Sequence, residues 1–248
     1  MNRWVLLRGL IREQRHWGDF PALFSAALDG AGVYTPDLPG NGQRFRKTSP
    51  TRIETMVDIC RADLAAQSVA PPYGLLALSL GAMVASNWAM RYPQEVGACV
   101  LVNTSLRPFS PFWQRLRPAN YPALLYRALA GNPAKLEALI LQLTSQRADP
   151  AVLSSWLGYR QQCPVSTINA LRQLLAAARY RAPRVAPPVP CLVVAGERDR
   201  LVNPQCSHTL ARAWQATLIS HPDAGHDLPL DDGLWLAQQI QRWLPGKR

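Results

Sequence analysis

With 248 residues, 48% of them apolar and 17% charged, the chain can bury a sizeable core and is too apolar to be a disordered tail. Net charge is +11, and eleven of the 27 Lys and Arg fall between Ser105 and Pro188, opposed only by Glu137 and Asp149. No apolar run approaches a membrane span, and the stretch Trp4–Leu7 before Arg8 is too short for a signal peptide's hydrophobic region, so the expected address is the cytoplasm.

In chain order, Trp4–Leu7 reads as a short buried strand ended by Arg8-Gly9, and Gly32–Thr35 as a second. The latter empties into the Pro- and Gly-rich loop Pro36-Asp37-Leu38-Pro39-Gly40-Asn41-Gly42. Thr51–Ser68 is helical, with Ile53, Val57, Cys60 and Leu64 near one face. Gly74–Leu78 is the third strand and Leu80–Tyr92 the helix behind it, stopped by Pro93. Ala98–Val102, Cys191–Ala195 and Thr217–Ile219 complete the strands, and a last helix runs from about Leu234 to Leu244. Short apolar strands alternating with helices predict an α/β fold with a mostly parallel sheet covered on both faces. The alternation breaks between Leu106 and Pro188, where helical periodicity such as Leu136, Leu139, Ile140 and Leu143 dominates. The expected division is therefore a core of 1–105 and 188–248 with a helical lid of 106–187. Cys60, Cys99, Cys163, Cys191 and Cys206 are scattered without ligand spacing, so reduced thiols and no metal are expected.

Ligands of such a sheet sit beyond the carboxyl ends of its strands, and three groups fall there in the order Ser79, Asp199, His226. A serine hydroxyl is a poor nucleophile until a base takes its proton, and that base needs a third group to orient it. Ser79 lies in Ala77-Leu78-Ser79-Leu80-Gly81, an A-x-S-x-G variant of the G-x-S-x-G turn in which small residues let strand and helix approach. Asp199 follows the strand Leu192–Ala195, and His226 stands in Asp223-Ala224-Gly225-His226-Asp227, just ahead of the last helix.

With these residues in this order, the chain resembles the α/β-hydrolases, and Asp37-Leu38-Pro39-Gly40-Asn41-Gly42 also matches a loop common after that family's second parallel strand. The first strand lies too near the start for the two strands that often precede it, so a sheet trimmed at that edge is expected. The resemblance makes Ser79 the nucleophile, His226 the general base and acid, and Asp199 the orienting carboxylate. Glu197 is the nearest rival for the acid, whereas Asp227 adjoins the histidine and is badly placed to reach its far nitrogen. It assigns the oxyanion hole to backbone N–H groups of Leu80 and of Leu10 in Arg8-Gly9-Leu10. Arg8 stands where the family usually has His. Its expected role is to pair with an acidic residue beneath the loop, the alternative being a substrate carboxylate. His16 and Trp17, in Glu13-Gln14-Arg15-His16-Trp17, are candidates for the pocket mouth, and for Trp17 the preferred reading is a core anchor.

A serine nucleophile implies acyl transfer to water with no cofactor. Size, the lid-bearing core and Leu78-Ser79-Leu80-Gly81 further resemble the carboxylesterases of biotin synthesis, which cleave a methyl ester on an acyl-carrier-protein-linked chain. That likeness implies a small acyl ester as substrate and an acidic acyl carrier protein as partner. Candidate docking residues are Arg115, Arg117, Arg127, Arg147 and Arg160. The alternatives are a general small-ester or thioester hydrolase, a lyase of the menaquinone-synthesis type, or a ligand receptor on a hydrolase fold. Nucleic acid is not expected as a partner, because the bases are spread through amphipathic helices and not packed in a run.

Overall fold

Uninterrupted apolar runs offer water no face, and here each becomes a strand buried on both sides. The computed structural model describes residues 1–147 and 149–244. Among them, β1 (Arg3–Leu7), β2 (Gly32–Tyr34), β3 (Tyr73–Leu78), β4 (Val96–Val102), β5 (Cys191–Gly196) and β6 (Thr217–His221) form one sheet. Its order is β2-β1-β3-β4-β5-β6, and every neighbouring pair is parallel.

The period of two divides the strands between two cores. Val5, Leu7, Leu75 and Ala77 face α2 (Ile53–Ala66), α3 (Leu80–Arg91) and α9 (Gln205–Trp214). Trp4, Leu6, Leu76 and Leu78 face α1 (Phe20–Ala27) and α10 (Leu228–Trp243). Four further helices longer than one turn lie between β4 and β5: α5 (Tyr121–Leu129), α6 (Pro133–Thr144), α7 (Pro150–Gln162) and α8 (Thr167–Arg179), after the short α4 (Phe112–Arg115). No strand of the sheet falls in this segment among the described residues. Its two roots meet where Arg107 bridges Arg181 and Ala182 N–H donates to Arg107 O at 2.7 Å.

Two elements depart from the sequence expectation. The helix α9 was not anticipated, because its buried apolar residues are only Cys206, Leu210, Ala211 and Trp214, with polar side chains among them. The last helix starts at Leu228 and not near Leu234. Asp232 breaks it with φ −152° and ψ 74°, and Asp232 Oδ1 accepts from Trp235 N–H at 3.0 Å, capping the second segment. The first turn thus belongs to the loop that carries His226.

Candidate active site

Ser79 follows β3 directly and is the N-cap of α3, with φ 57° and ψ −115°. A non-glycine residue in that region is strained, and the strain is held by the packing on both sides. Its own N–H donates to Val102 O at 3.0 Å, tying the turn to the end of β4. Gly81 explains the small residue after the serine: a Cβ there would lie 2.3 Å from Leu7 O and 2.7 Å from Arg8 O, both backbone atoms. Ala77, the departure from the usual glycine, is wholly buried between Leu7 and Leu101 in the sheet register. Leu80 is the first helical residue, so its N–H has no intrahelical acceptor.

His226 and Asp199 meet at the same end of the sheet. Asp199 Oδ2 lies 2.6 Å from His226 Nδ1, and the two residues are 2% and 4% exposed. The other oxygen, Oδ1, accepts from Leu201 and Val202 N–H, each at 2.8 Å, which locks the carboxylate's orientation. A carboxylate only accepts, so the shared proton sits on Nδ1 and Nε2 is left as a base. Glu197, the rival acid, is taken by His208 Nε2 at 2.8 Å. No hydrogen bond joins Ser79 Oγ to His226 among the described residues.

Three residues that sequence reasoning did not single out hold this arrangement. Asn103, just after β4, donates from Nδ2 to Gly225 O at 2.9 Å and to His226 O at 2.8 Å, while its Oδ1 accepts from Gly196 N–H at 2.7 Å. It thereby clamps the histidine loop to the acid's strand. At Gly196 a Cβ would sit 2.3 Å from Gly225 O, so only glycine permits this approach. Asp231 accepts from Gly225 N–H at 2.6 Å, from Ser145 Oγ at 2.5 Å and from Gln146 N–H at 3.0 Å, joining the histidine loop to the end of α6. Gln173 of α8 accepts from Ile11 N–H at 2.9 Å and donates to Asn41 Oδ1 at 2.8 Å, fixing the loop after β1 against the helical segment.

Arg8 makes a buried, bidentate pair with Asp227, Nη1 to Oδ1 at 3.0 Å and Nη2 to Oδ2 at 2.6 Å. It also lies 4.7 Å from the centroid of the Trp17 ring. The residue in the usual histidine position thus ties the loop after β1 to the residue following His226. Trp17 is not at a pocket mouth: it is buried and stacked on Phe20, with centroids 5.6 Å apart, in the core under α1. Its place one turn before α1 makes its indole more useful as packing than as a rim.

His16, by contrast, lines a cavity of about 290 Å³. Leu10, Ile11 and Arg12 form its floor, and residues of α5, α6, α7 and α8, including Leu124, Ile140, Trp156 and Leu174, enclose it. Gly9, beside Leu10, lies so close to the Ser79 turn that a Cβ on it would be 3.2 Å from Ser79 Cβ. Ser79 and His226 are not themselves in the cavity wall. Burial, then Arg12 and Arg8, push the His16 pKa well below its ordinary 6.5. The unfolded chain takes up a proton there that the folded chain refuses. This contribution to stability is therefore complete above pH 6.5 and is lost progressively as pH falls toward the lowered folded value. His16→Gln is expected to flatten the decline of Tm below that pH; a decline parallel to the parent's would contradict it.

The five candidate docking arginines do not form one group. Arg115 is a brace, donating from Nε to Ser105 O at 3.3 Å and from Nη2 to Ala177 O at 2.8 Å, and burial lowers its pKa. Arg117 is half-buried at the segment's root, where its N–H donates to Leu201 O at 3.0 Å. Arg160 lines the cavity and pairs with Glu137. Arg127 is half-buried beside Tyr126, and Arg147 is exposed. Arg179, Arg181 and Arg184 are also exposed, at the segment's second root. Among the described residues no cluster of three His, Cys, Asp or Glu could hold a metal, and no helix is long and apolar enough to cross a membrane.

The parallel sheet, the strained serine turn and the Asp–His contact at one sheet end agree with the family match: a model described as the alpha/beta hydrolase family covers residues 4–239, and the chain belongs to that family. It is a hydrolase. Among curated relatives it is similar to a pimeloyl-[acyl-carrier protein] methyl ester esterase of Xylella fastidiosa (strain M12), 29% identical over 227 residues, spanning 85% of this chain and 84% of the relative. It is likewise similar to the esterase of that name from Aromatoleum aromaticum, 29% identical over 244 residues and spanning 91% and 92% of the two chains. The fold is that of the enol-lactonase from Burkholderia xenovorans LB400, with a TM-score of 0.78 at 18% identity over 97% of this chain and 90% of that one. A thermophilic esterase from Thermogutta terrifontis aligns with a TM-score of 0.73 at 21% identity, over 98% and 89%.

Proposed function

We propose that the chain is a cytoplasmic serine carboxylic-ester hydrolase that cleaves a methyl ester on an acyl chain carried by acyl carrier protein, as in biotin synthesis. The observation that carries the chemistry is the buried 2.6 Å contact of Asp199 with His226 at the sheet end where Ser79 holds its strained turn. The names of the curated relatives support the substrate.

In this reading Ser79 Oγ attacks the ester carbonyl while His226 Nε2 takes its proton and passes it to the departing methoxide as methanol forms. Backbone N–H groups of Leu10 and Leu80 receive the oxyanion, each worth about 3 kcal/mol in the transition state. Water, deprotonated by the same histidine, then releases the free acid from the acyl-enzyme. The acidic carrier docks on the helical segment, acting as a lid, through its exposed bases: Arg147 and, at the second root, Arg179, Arg181 and Arg184. Arg115 and Arg160 are occupied inside the protein.

Exposed charges are screened over roughly 8–10 Å at moderate salt, so docking of this kind is salt-sensitive while chemistry in the site is not. The test is turnover of methyl pimeloyl-acyl carrier protein between low and high salt. Its kcat/KM should fall by roughly tenfold or more, while that of p-nitrophenyl acetate changes by less than about twofold. Equal salt responses would remove the carrier from the proposal, and an intact carrier ester would remove the substrate.

A further inference from the structure

The loop after β1 is held in a backbone conformation that its own side chain disfavours. Arg12 N–H donates to Gly9 O at 3.3 Å, closing a four-residue turn with Leu10 and Ile11 at its centre. Ile11 has φ 51°, and a positive φ at that second central position is normally supplied by glycine or asparagine. Isoleucine is branched at Cβ and tolerates the left-handed region poorly. Left to itself, the turn would relax to negative φ at Ile11, which turns the Leu10–Ile11 peptide over.

A buried side chain from the helical segment opposes this. Gln173, wholly buried on α8, accepts from Ile11 N–H at 2.9 Å, so the peptide that would turn over is pinned. Its Nε2 donates to Asn41 Oδ1 at 2.8 Å and to Ser49 Oγ at 3.0 Å. Asn41, also wholly buried, donates from Nδ2 to Arg12 O at 2.9 Å. The turn is thus gripped at one N–H and one C=O. Both amides can face only one way, because Ile11 N–H must donate and Arg12 O must accept. Leu10 N–H, beside the pinned peptide, donates to nothing among the described residues. Gln173 does not line the cavity, so any effect it has on the chemistry passes through the loop.

We propose that Gln173 is a positioning residue: it holds Ile11 at positive φ and thereby fixes Leu10 N–H as an oxyanion donor. The seating of α8 then sets the rate of the chemistry. The role of Leu10 rests on the hydrolase reading, whereas the clamp rests on the geometry alone. A donor serves the transition state only when its direction is set beforehand. A turn released from Gln173 would spend most of its time in the form isoleucine prefers.

The experiment compares Gln173→Met with the same variant carrying Ile11→Gly, on p-nitrophenyl acetate. Gln173→Met should lower kcat roughly tenfold, the ratio set by the left-handed penalty, with KM within about twofold of the parent's. Glycine bears positive φ without penalty, so Ile11→Gly in that background should recover most of the loss. A trifluoromethyl ketone, whose adduct oxygen mimics the oxyanion, should lose affinity in Gln173→Met and regain it with the glycine. Amide NMR reads the clamp without turnover: the Leu10 signal should be single in the parent and broadened or doubled in Gln173→Met. Should Gln173→Met not fold, Gln173→Asn repeats the test, since it keeps an amide but falls one methylene short of Ile11. A kcat unchanged by these variants, or a loss that Ile11→Gly does not recover, overturns the proposal. A parent that hydrolyses no ester, with the Leu10 signal altered in the variant, keeps the clamp and removes the hydrolase reading. A parent that hydrolyses esters, with kcat and the Leu10 signal both unmoved in the variant, does the reverse.

Discussion

Ser79→Ala is expected to lower ester turnover by roughly 10⁴- to 10⁶-fold and to abolish covalent labelling by a fluorophosphonate, with KM little changed. The hydroxyl is the only atom lost, and the strain at φ 57° is the same for alanine as for serine. No hydrogen bond to Ser79 Oγ stabilises the fold among the described residues, so Tm should stay near the parent's. The residual rate would come from the N–H groups of Leu80 and Leu10 and from binding, which survive the substitution. Single-turnover kinetics with p-nitrophenyl acetate would read this directly. A variant that keeps the parent's rate would show that Ser79 is not the nucleophile, however well Asp199 and His226 are paired.

Breaking the pair of Arg8 and Asp227 is the second large effect. Both side chains are 4% exposed and the contact is bidentate, so Arg8→Met leaves a carboxylate buried without a partner. The expected cost is about 3–5 kcal/mol, most of it the penalty on the stranded charge and not the net worth of the pair. For a chain of this length that corresponds to a fall in Tm of roughly 6–20 °C. Replacing both partners, as in Arg8→Met with Asp227→Leu, should recover much of the loss, because no charge is then left in the interior. The pair also joins the loop of Leu10 to the residue after His226, so kcat in Arg8→Met should fall even at temperatures where the variant is folded. A single-variant cost below about 1 kcal/mol would mean the pair behaves like an exposed one.

The sheet was readable because parallel strands covered on both faces are continuous apolar runs, as in Leu75–Leu78 and Leu192–Ala195. The helix α9 was not, because its buried apolar residues Cys206, Leu210, Ala211 and Trp214 are spaced among the polar Ser207, His208, Thr209 and Arg212. The Asp199–His226 contact was legible from chain order, and the geometry agrees with it. Asn103, Asp231 and Gln173 were not legible. Each is an ordinary polar residue in its own neighbourhood, and the groups it binds lie up to 162 residues away for Gln173 with Ile11 and 123 for Asn103 with His226. Trp17 shows the opposite limit: its type suits either a rim or a core, and only the packing against Phe20 and Arg8 decides.

The amino-acid sequence by itself determined the class of fold, the order of serine, acid and histidine, and the concentration of basic charge between Ser105 and Pro188, because apolar period and chain order are local properties. Only the tertiary structure decided what those bases do. Arg115 braces two backbone carbonyls, Arg160 and Arg12 share Glu137 inside a cavity, and Arg147 and Arg179 face solvent. A guanidinium's role is set by which acceptor lies within reach and how much water is excluded around it. Both depend on how α6, α7 and α8 pack against the loop after β1, which no local pattern in the chain records.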